Sequence, residues 1–176
     1  MKPVKPVKSV EEVDALVGTA HAGQVDKIEV PYVDHVRAVA AGLVPFGPEL
    51  EMAGLLHDIV EDTDWTAERL RSSGIPDRVV EIVEAVTNQP GMSYELKIQR
   101  ITRSRDATLV KIADNAHNSI PERAARLPAP ERTRLAAKYR AAREVLWAAA
   151  DVAEIESIVT IVNPALLPEL REWTAS

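Results

Sequence analysis

The chain has 176 residues, long enough for one domain with a sizeable core and too short for two comfortable ones. It has no cysteine, which excludes a disulfide framework and any thiolate metal site and leaves His, Asp and Glu as candidate ligands. The net charge of −6, with basic residues interleaved among acids, argues against a nucleic-acid partner, and no apolar run approaches the roughly 20 residues that span a bilayer.

Residues 1–8 are basic but lack the apolar stretch and cleavage site of a signal peptide, so the default address is cytoplasmic. Ser9, with Glu12 three residues later, makes a capping box and predicts a helix to about His21. A loop over 23–30 follows. Pro31 then opens a helix whose apolar face is Val33, Val36, Val39, Ala40 and Leu43. Pro45, Gly47 and Pro48 break that helix, and the next carries Met52, Leu55, Leu56 and Ile59. Thr63 and Asp64 are the predicted cap of a short helix ending at Gly74, and Pro76 starts another with Val79, Ile82, Val83 and Val86 inward. A turn over 88–91 precedes a polar helix from about 93 to 103. Thr108 to Asp114 is β-branched enough for a strand, yet Leu109, Ile112, Ala113 and Ala116 fit a helix, which the surrounding pattern favours. Pro130 begins a long Ala-rich helix to about 149, 151–162 makes another, and the tail after Pro164 is short. The expectation is a single all-α domain, its core over about 10–150 and a helical extension over about 151–176.

The most informative string is Leu55-Leu56-His57-Asp58-Ile59-Val60-Glu61-Asp62-Thr63. Four ionisable groups beside Leu55, Leu56, Ile59 and Val60 are costly to bury unless something charged pairs with them. His57 and Asp58 lie about 100° apart around a helix, so both can reach one ion lodged at its end. His35 falls on the inward side of its helix, and Asp114 ends the apolar run from Leu109. Two imidazoles and two carboxylates from three helices suit a borderline divalent metal with positions open for water and substrate; Mn²⁺ fits well, and Fe²⁺, Zn²⁺ and Mg²⁺ stay open. Such an ion activates a bound water and neutralises phosphoryl charge. Glu61 and Asp62, one helical turn on, offer a base, and two neighbouring carboxylates can share a proton near neutrality. His21 and His117 read as positioning or structural residues.

Four stretches carry these residues: His21-Ala22-Gly23-Gln24, Pro31-Tyr32-Val33-Asp34-His35, the His57 string, and Val110-Lys111-Ile112-Ala113-Asp114-Asn115-Ala116-His117-Asn118. In this order, over about 13–148, they resemble the successive motifs of HD-domain metal phosphohydrolases, in the branch of the RelA/SpoT-homologue hydrolase domains and small alarmone hydrolases. The resemblance implies one HD-domain helical bundle across 1–176, with a metal site between helices. It implies His35, His57, Asp58 and Asp114 as metal ligands, with Mn²⁺ the usual ion. Glu61 and Asp62 match the acidic pair that activates water and manages protons. Asn118 matches an asparagine beside the substrate ribose and phosphate, and Lys27, Lys97 and Tyr139 fall around the nucleotide. The implied reaction removes the 3′-pyrophosphate from (p)ppGpp, the alarmone of the stringent response, giving GDP or GTP and pyrophosphate. The expected partner is a small phosphorylated nucleotide, with no nucleic acid and no membrane; a homo-oligomer stays open.

Two segments depart from the family pattern. The 25–30 loop carries Asp26 and Glu29 with a single lysine, where the family has basic or small polar residues, and 115–118 lacks the usual basic-Leu-aromatic-Asn order. A less positive rim leaves another nucleotide phosphatase as an alternative, such as an NADPH 2′-phosphatase or a nucleoside monophosphatase. A catalytically silent metal- or nucleotide-binding regulatory module is the other, and the intact Glu61-Asp62 argues against it.

Overall fold

A computed structural model of the protein describes residues 7–175; most of the basic 1–8 segment lies outside them. Ser9 and Glu12 close their capping box reciprocally at 3.3 and 2.8 Å and start α1 (Val10–Ala20). Pro31 sits before α2 (Tyr32–Ala41), and Gly47, at φ 98°, turns the chain into α3 (Pro48–Leu56). After a turn at His57-Asp58 come α4 (Ile59–Asp62), α5 (Ala67–Ser72), α6 (Asp77–Val86), α7 (Tyr94–Ile101) and α8 (Arg105–Asn118). The chain continues through α9 (Pro121–Ala125), α10 (Ala129–Trp147), α11 (Val152–Val162) and α12 (Leu167–Thr174). The described residues form no strand, and an isolated bridge pairs Val25 with Pro31 across the 25–30 loop.

α8 is the axle of the bundle. It is buried from Ala107 to His117 except at Lys111, and it packs against α2, α3, α6, α10 and α11. A helix surrounded on all sides needs apolar residues at every angle, which explains why its sequence also looked like a strand. Ser104 caps it, and the buried Thr108 hydroxyl returns its proton to the Ser104 carbonyl at 2.8 Å. Ile155, Ile158, Val159, Val162, Leu166 and Leu170 of the C-terminal helices join the same buried cluster. Asn163 Nδ2 donates to the Ala116 carbonyl at 2.9 Å, tying that segment to α8.

Two expectations need correcting. The helix carrying Met52 does not run through His57 to Ile59: it stops at Leu56, and His57-Asp58 form a turn before α4. Thr63 and Asp64 do not cap α5. The Thr63 hydroxyl donates to the Ile59 carbonyl at 2.6 Å and so closes α4, and Thr66 supplies the cap instead. The single turn α9, started by Pro121, went unanticipated. Among the described residues, no helix is long and apolar enough to cross a membrane.

The crossing of α2 over α3 sets the functional side chains. A Cβ on Gly54 would lie 2.8 Å from Ala40 Cα and 2.7 Å from Leu43 Cδ1, so glycine alone permits this approach. It brings His35 of α2 against His57 at the end of α3, with ring centroids 5.2 Å apart.

Candidate metal centre

His57 follows the last residue of α3, and its Nδ1–H donates to the Gly54 carbonyl at 2.7 Å. That bond fixes the tautomer and turns Nε2 inward, where it is buried without a hydrogen-bond partner. Asp58 Oδ2 lies 3.0 Å from this nitrogen and 3.6 Å from His35 Nε2. Asp114 Oδ1 lies 3.3 Å from His35 Nε2 and 3.8 Å from His57 Nε2. Ligand atoms held about 2.1 Å from one ion at right angles stand about 3 Å apart, so this spacing suits a shared cation. The orphaned His57 nitrogen is what a metal would satisfy, and His35, His57 and Asp58 cluster closely enough to share a divalent ion, with Asp114 approaching the two imidazoles from α8 but falling outside that cluster.

Neighbours hold each of these groups in place. His35 Nδ1 meets His117 Nδ1 at 2.7 Å. Burial, then the charge of His35, hold His117 down to about 3, so it is neutral and accepts the His35 proton. His117 thus orients His35, a candidate ligand, through its own Nδ1. The Tyr32 hydroxyl donates to Asp58 Oδ2 at 2.6 Å. On α8, Lys111 Nζ pairs with Asp114 Oδ2 at 2.6 Å and Asn118 Nδ2 donates to Asp114 Oδ1 at 2.6 Å, the three residues sharing one helix face. Burial opposes the charge of Asp58 and Asp114. The His57 charge for Asp58, and Lys111 for Asp114, outweigh it and hold both carboxyls well below their ordinary range.

The centre opens into a cavity of about 470 Å³. Of the ten candidate site residues, nine line it: Lys27, His35, Asp58, Glu61, Asp62, Lys97, Asp114, Asn118 and Tyr139; His57 is buried behind them. The two acids differ. Both Glu61 oxygens are engaged, by Asn88 N and Nδ2 at 2.7 and 2.6 Å and by Lys97 Nζ at 2.9 Å. Asp62 faces Tyr32, and its pKa is raised by burial, then by the nearby charges of Asp58 and Glu61. Of the two acids in the 25–30 loop, Glu29 is exposed and Asp26 is held. Asp26 caps its own loop through Ile28 N and Val30 N and pairs with Arg123 at 2.7 Å.

A family model described as the HD domain matches residues 32–119, half the chain. The chain belongs to the HD-domain family. All four ligand candidates lie inside the matched segment. A guanosine-3′,5′-bis(diphosphate) 3′-pyrophosphohydrolase of Haemophilus influenzae is 33% identical over 112 residues, covering 56% of this chain and 16% of that protein. The bifunctional (p)ppGpp synthase/hydrolase SpoT of Escherichia coli is 29% identical over 129 residues, 66% of this chain and 18% of that one. A GTP pyrophosphokinase of Streptomyces coelicolor is 32% identical over 123 residues, 64% and 14% respectively. The HD chain thus spans about a sixth of the length of these curated relatives. A solved structure, described as a metazoan orthologue of SpoT that hydrolyses ppGpp and plays a role in starvation responses, superposes with a TM-score of 0.66 at 22% identity. It covers 94% of this chain and 97% of its own, and it shows a shared fold.

The structure of this HD domain also brings in residues that the sequence did not single out. Tyr32 and Lys111 each sit three residues before a candidate ligand, on the same helix face, and that spacing was a usable signal. Asn88, Tyr94, Arg123 and Lys138 reach the cavity through tertiary packing and left no local signature. Arg100, Arg103 and Arg105 do not line it; Arg100 instead donates to the carbonyls of Ala85 and Thr87 at the end of α6.

These shifts make metal affinity depend on pH. Burial opposes charge on His57, but Asp58 and Asp114 outweigh it and push its pKa up to about 10, and His35 is raised likewise. An incoming divalent ion must displace those protons. Affinity is expected to rise between about pH 6 and about pH 9, by up to about a hundredfold per unit if both protons leave. Calorimetry in two buffers of different ionisation enthalpy counts the released protons; affinity flat across this range would contradict the arrangement. The raised imidazoles contribute stability to the metal-free protein fully below 6.5 and lose it as pH rises through about 10. The depressed carboxyls contribute above about 3.8 and lose it as pH falls.

Proposed function

We propose that this HD domain is a Mn²⁺-dependent hydrolase that removes the 3′-pyrophosphate from (p)ppGpp, releasing GDP or GTP and pyrophosphate. Its core would span about 10–150, braced by the helices of about 151–176. One observation carries the reading: a His35, His57 and Asp58 cluster, faced by Asp114, and a carboxylate of raised pKa open together into one lysine-lined, nucleotide-sized cavity. The names of the Haemophilus and Escherichia relatives support the choice of substrate. The inward pairing of Asp26 offsets one of the two acids that favoured a different phosphatase and leaves Glu29 exposed.

His35, His57, Asp58 and Asp114 would hold the ion. When bound, the metal supplies a Lewis acid and a water of lowered pKa. Asp62, raised towards neutrality, takes the proton of the attacking water. That water's oxygen bonds to the phosphorus attached to the ribose 3′-oxygen, the bond from phosphorus to that oxygen breaks, and the proton passes to the departing 3′-hydroxyl. Glu61 is held on two sides and sets Lys97, whose ammonium faces the phosphates. Asn118 gives one amide proton to Asp114, and the Asn118 Oδ1 is left to accept from a ribose hydroxyl. Lys27 and Tyr139 line the nucleotide's end of the cavity.

The test offers Mn²⁺-loaded protein ppGpp, NADPH and several nucleoside monophosphates, with orthophosphate and pyrophosphate measured separately. Pyrophosphate from ppGpp alone is the expected result. Turnover of NADPH or a monophosphate in preference would overturn the substrate assignment. Tyr32→Phe should lower kcat by about 10–100-fold, the usual loss when a partner that orients a metal ligand is removed, while leaving the thermal midpoint in place. An unchanged kcat would show that the hydroxyl does not position Asp58.

A further inference from the structure

Five cations line the cavity: Lys27, Lys97, Lys111, Arg123 and Lys138. Four are already held by carboxylates. Lys27 meets Glu131 at 3.1 Å, Lys97 meets Glu61 at 2.9 Å, Lys111 meets Asp114 at 2.6 Å and Arg123 meets Asp26 at 2.7 Å. Among the described residues, Lys138 is the one cavity-lining cation with no carboxylate in ion-pairing contact. Its Nζ stands 3.9 Å from the centre of the Tyr94 ring and 5.8 Å from that of Tyr139. Lys111, which pairs with Asp114, stands 5.9 Å from the same Tyr94 ring, so Lys138 extends the positive wall beyond the metal ligand's own partner.

A half-buried ammonium among like charges is unfavourable unless an anion joins it. Lys138 is depressed by burial, and then by repulsion from Lys111, Lys27 and Arg134. Asp114 and Glu95 act on it only at longer range. Beside it, the 25–30 loop offers no surplus positive charge, because Lys27 is engaged by Glu131, on the same helix as Lys138, and Arg123 by Asp26. A substrate with a second anionic arm therefore finds its counter-charge on α10.

We propose that Lys138, seated on the ring of Tyr94, binds the phosphate arm of the substrate remote from the metal, so that the cavity selects nucleotides phosphorylated at both ends. This rests on the proposed reaction only for which arm is cut. The remaining possibility is that Lys138 is a strut that packs on Tyr94 and meets no ligand. The two differ in what removal of its charge does to binding.

Calorimetry of GDP and of guanosine on metal-loaded wild type, Lys138→Ala and Lys138→Arg separates them. Lys138→Ala should weaken GDP by about 10–100-fold and leave guanosine unchanged, with Lys138→Arg within about threefold of wild type. In turnover of ppGpp, Lys138→Ala should raise KM and spare kcat, because the contact is the same in ground and transition states. GDP affinity unchanged in Lys138→Ala, or GDP and guanosine weakened alike, would overturn the proposal. If wild type splits no ppGpp yet GDP binding still depends on Lys138, the subsite stands and the reaction assignment falls.

Discussion

Asp58→Asn is expected to give a folded protein that neither holds a divalent ion nor hydrolyses ppGpp. The carboxylate is the hub of the centre: Oδ2 lies 3.0 Å from His57 Nε2, 3.6 Å from His35 Nε2 and 2.6 Å from the Tyr32 hydroxyl. An amide keeps the shape but removes the negative charge that balances the ion. Loss of an orienting partner of a ligand costs about 10–100-fold, and loss of an anionic ligand should exceed that in both metal affinity and kcat/KM. The fold should survive, because Asp58 sits in a turn at the cavity wall and contributes no apolar packing. Circular dichroism checks the fold and calorimetry checks the metal. A variant that still binds Mn²⁺ with wild-type affinity would remove Asp58 from the ligand set.

Gly54→Ala should be strongly destabilising, and its effect should reach the metal. The new Cβ would fall 2.8 Å from Ala40 Cα and 3.1 Å from Ala40 N, which are backbone atoms that yield only if α2 moves off α3. Overpacking of this kind costs about 1–3 kcal/mol, and for a domain of this size each kcal/mol lowers the midpoint by about 2–4 °C. Because His35 rides on α2 and the Gly54 carbonyl itself fixes His57, metal affinity should fall with stability. Gly18→Ala is the control. Its Cβ would meet only Arg37 Nη2, at 3.8 Å, so the better helix former should leave stability equal or raised by about 0.5–1 kcal/mol. Equal melting curves for the two variants would show that the α2–α3 approach is not tight.

How much of this was legible beforehand follows from how far each signal reaches. Local signals read well: the Ser9–Glu12 box, the prolines at helix starts, and the placement of His35 three residues into α2. The interruption at His57-Asp58 was not legible, because its residues are compatible with a continuing helix and only the demand that both side chains face one point favours a turn. Thr63 misled for a related reason, since a threonine serves equally to cap the next helix or to close the preceding one, and packing decides. Most of the cavity's charge balance was invisible. Asp26 and Glu29 read as a negative rim, yet Arg123, far along the chain, pairs with Asp26 and leaves Glu29 as the exposed acid. Lys138 carried no motif, and its isolation from carboxylates is a property of the assembled walls of α7, α8 and α10.

Hydrolysis of ppGpp in ¹⁸O-labelled water tests the central claim most directly. Attack at the phosphorus next to the ribose places one labelled oxygen in pyrophosphate and none in GDP, and mass spectrometry of the products reads both. Release of orthophosphate, or label appearing in the nucleoside product, would contradict it.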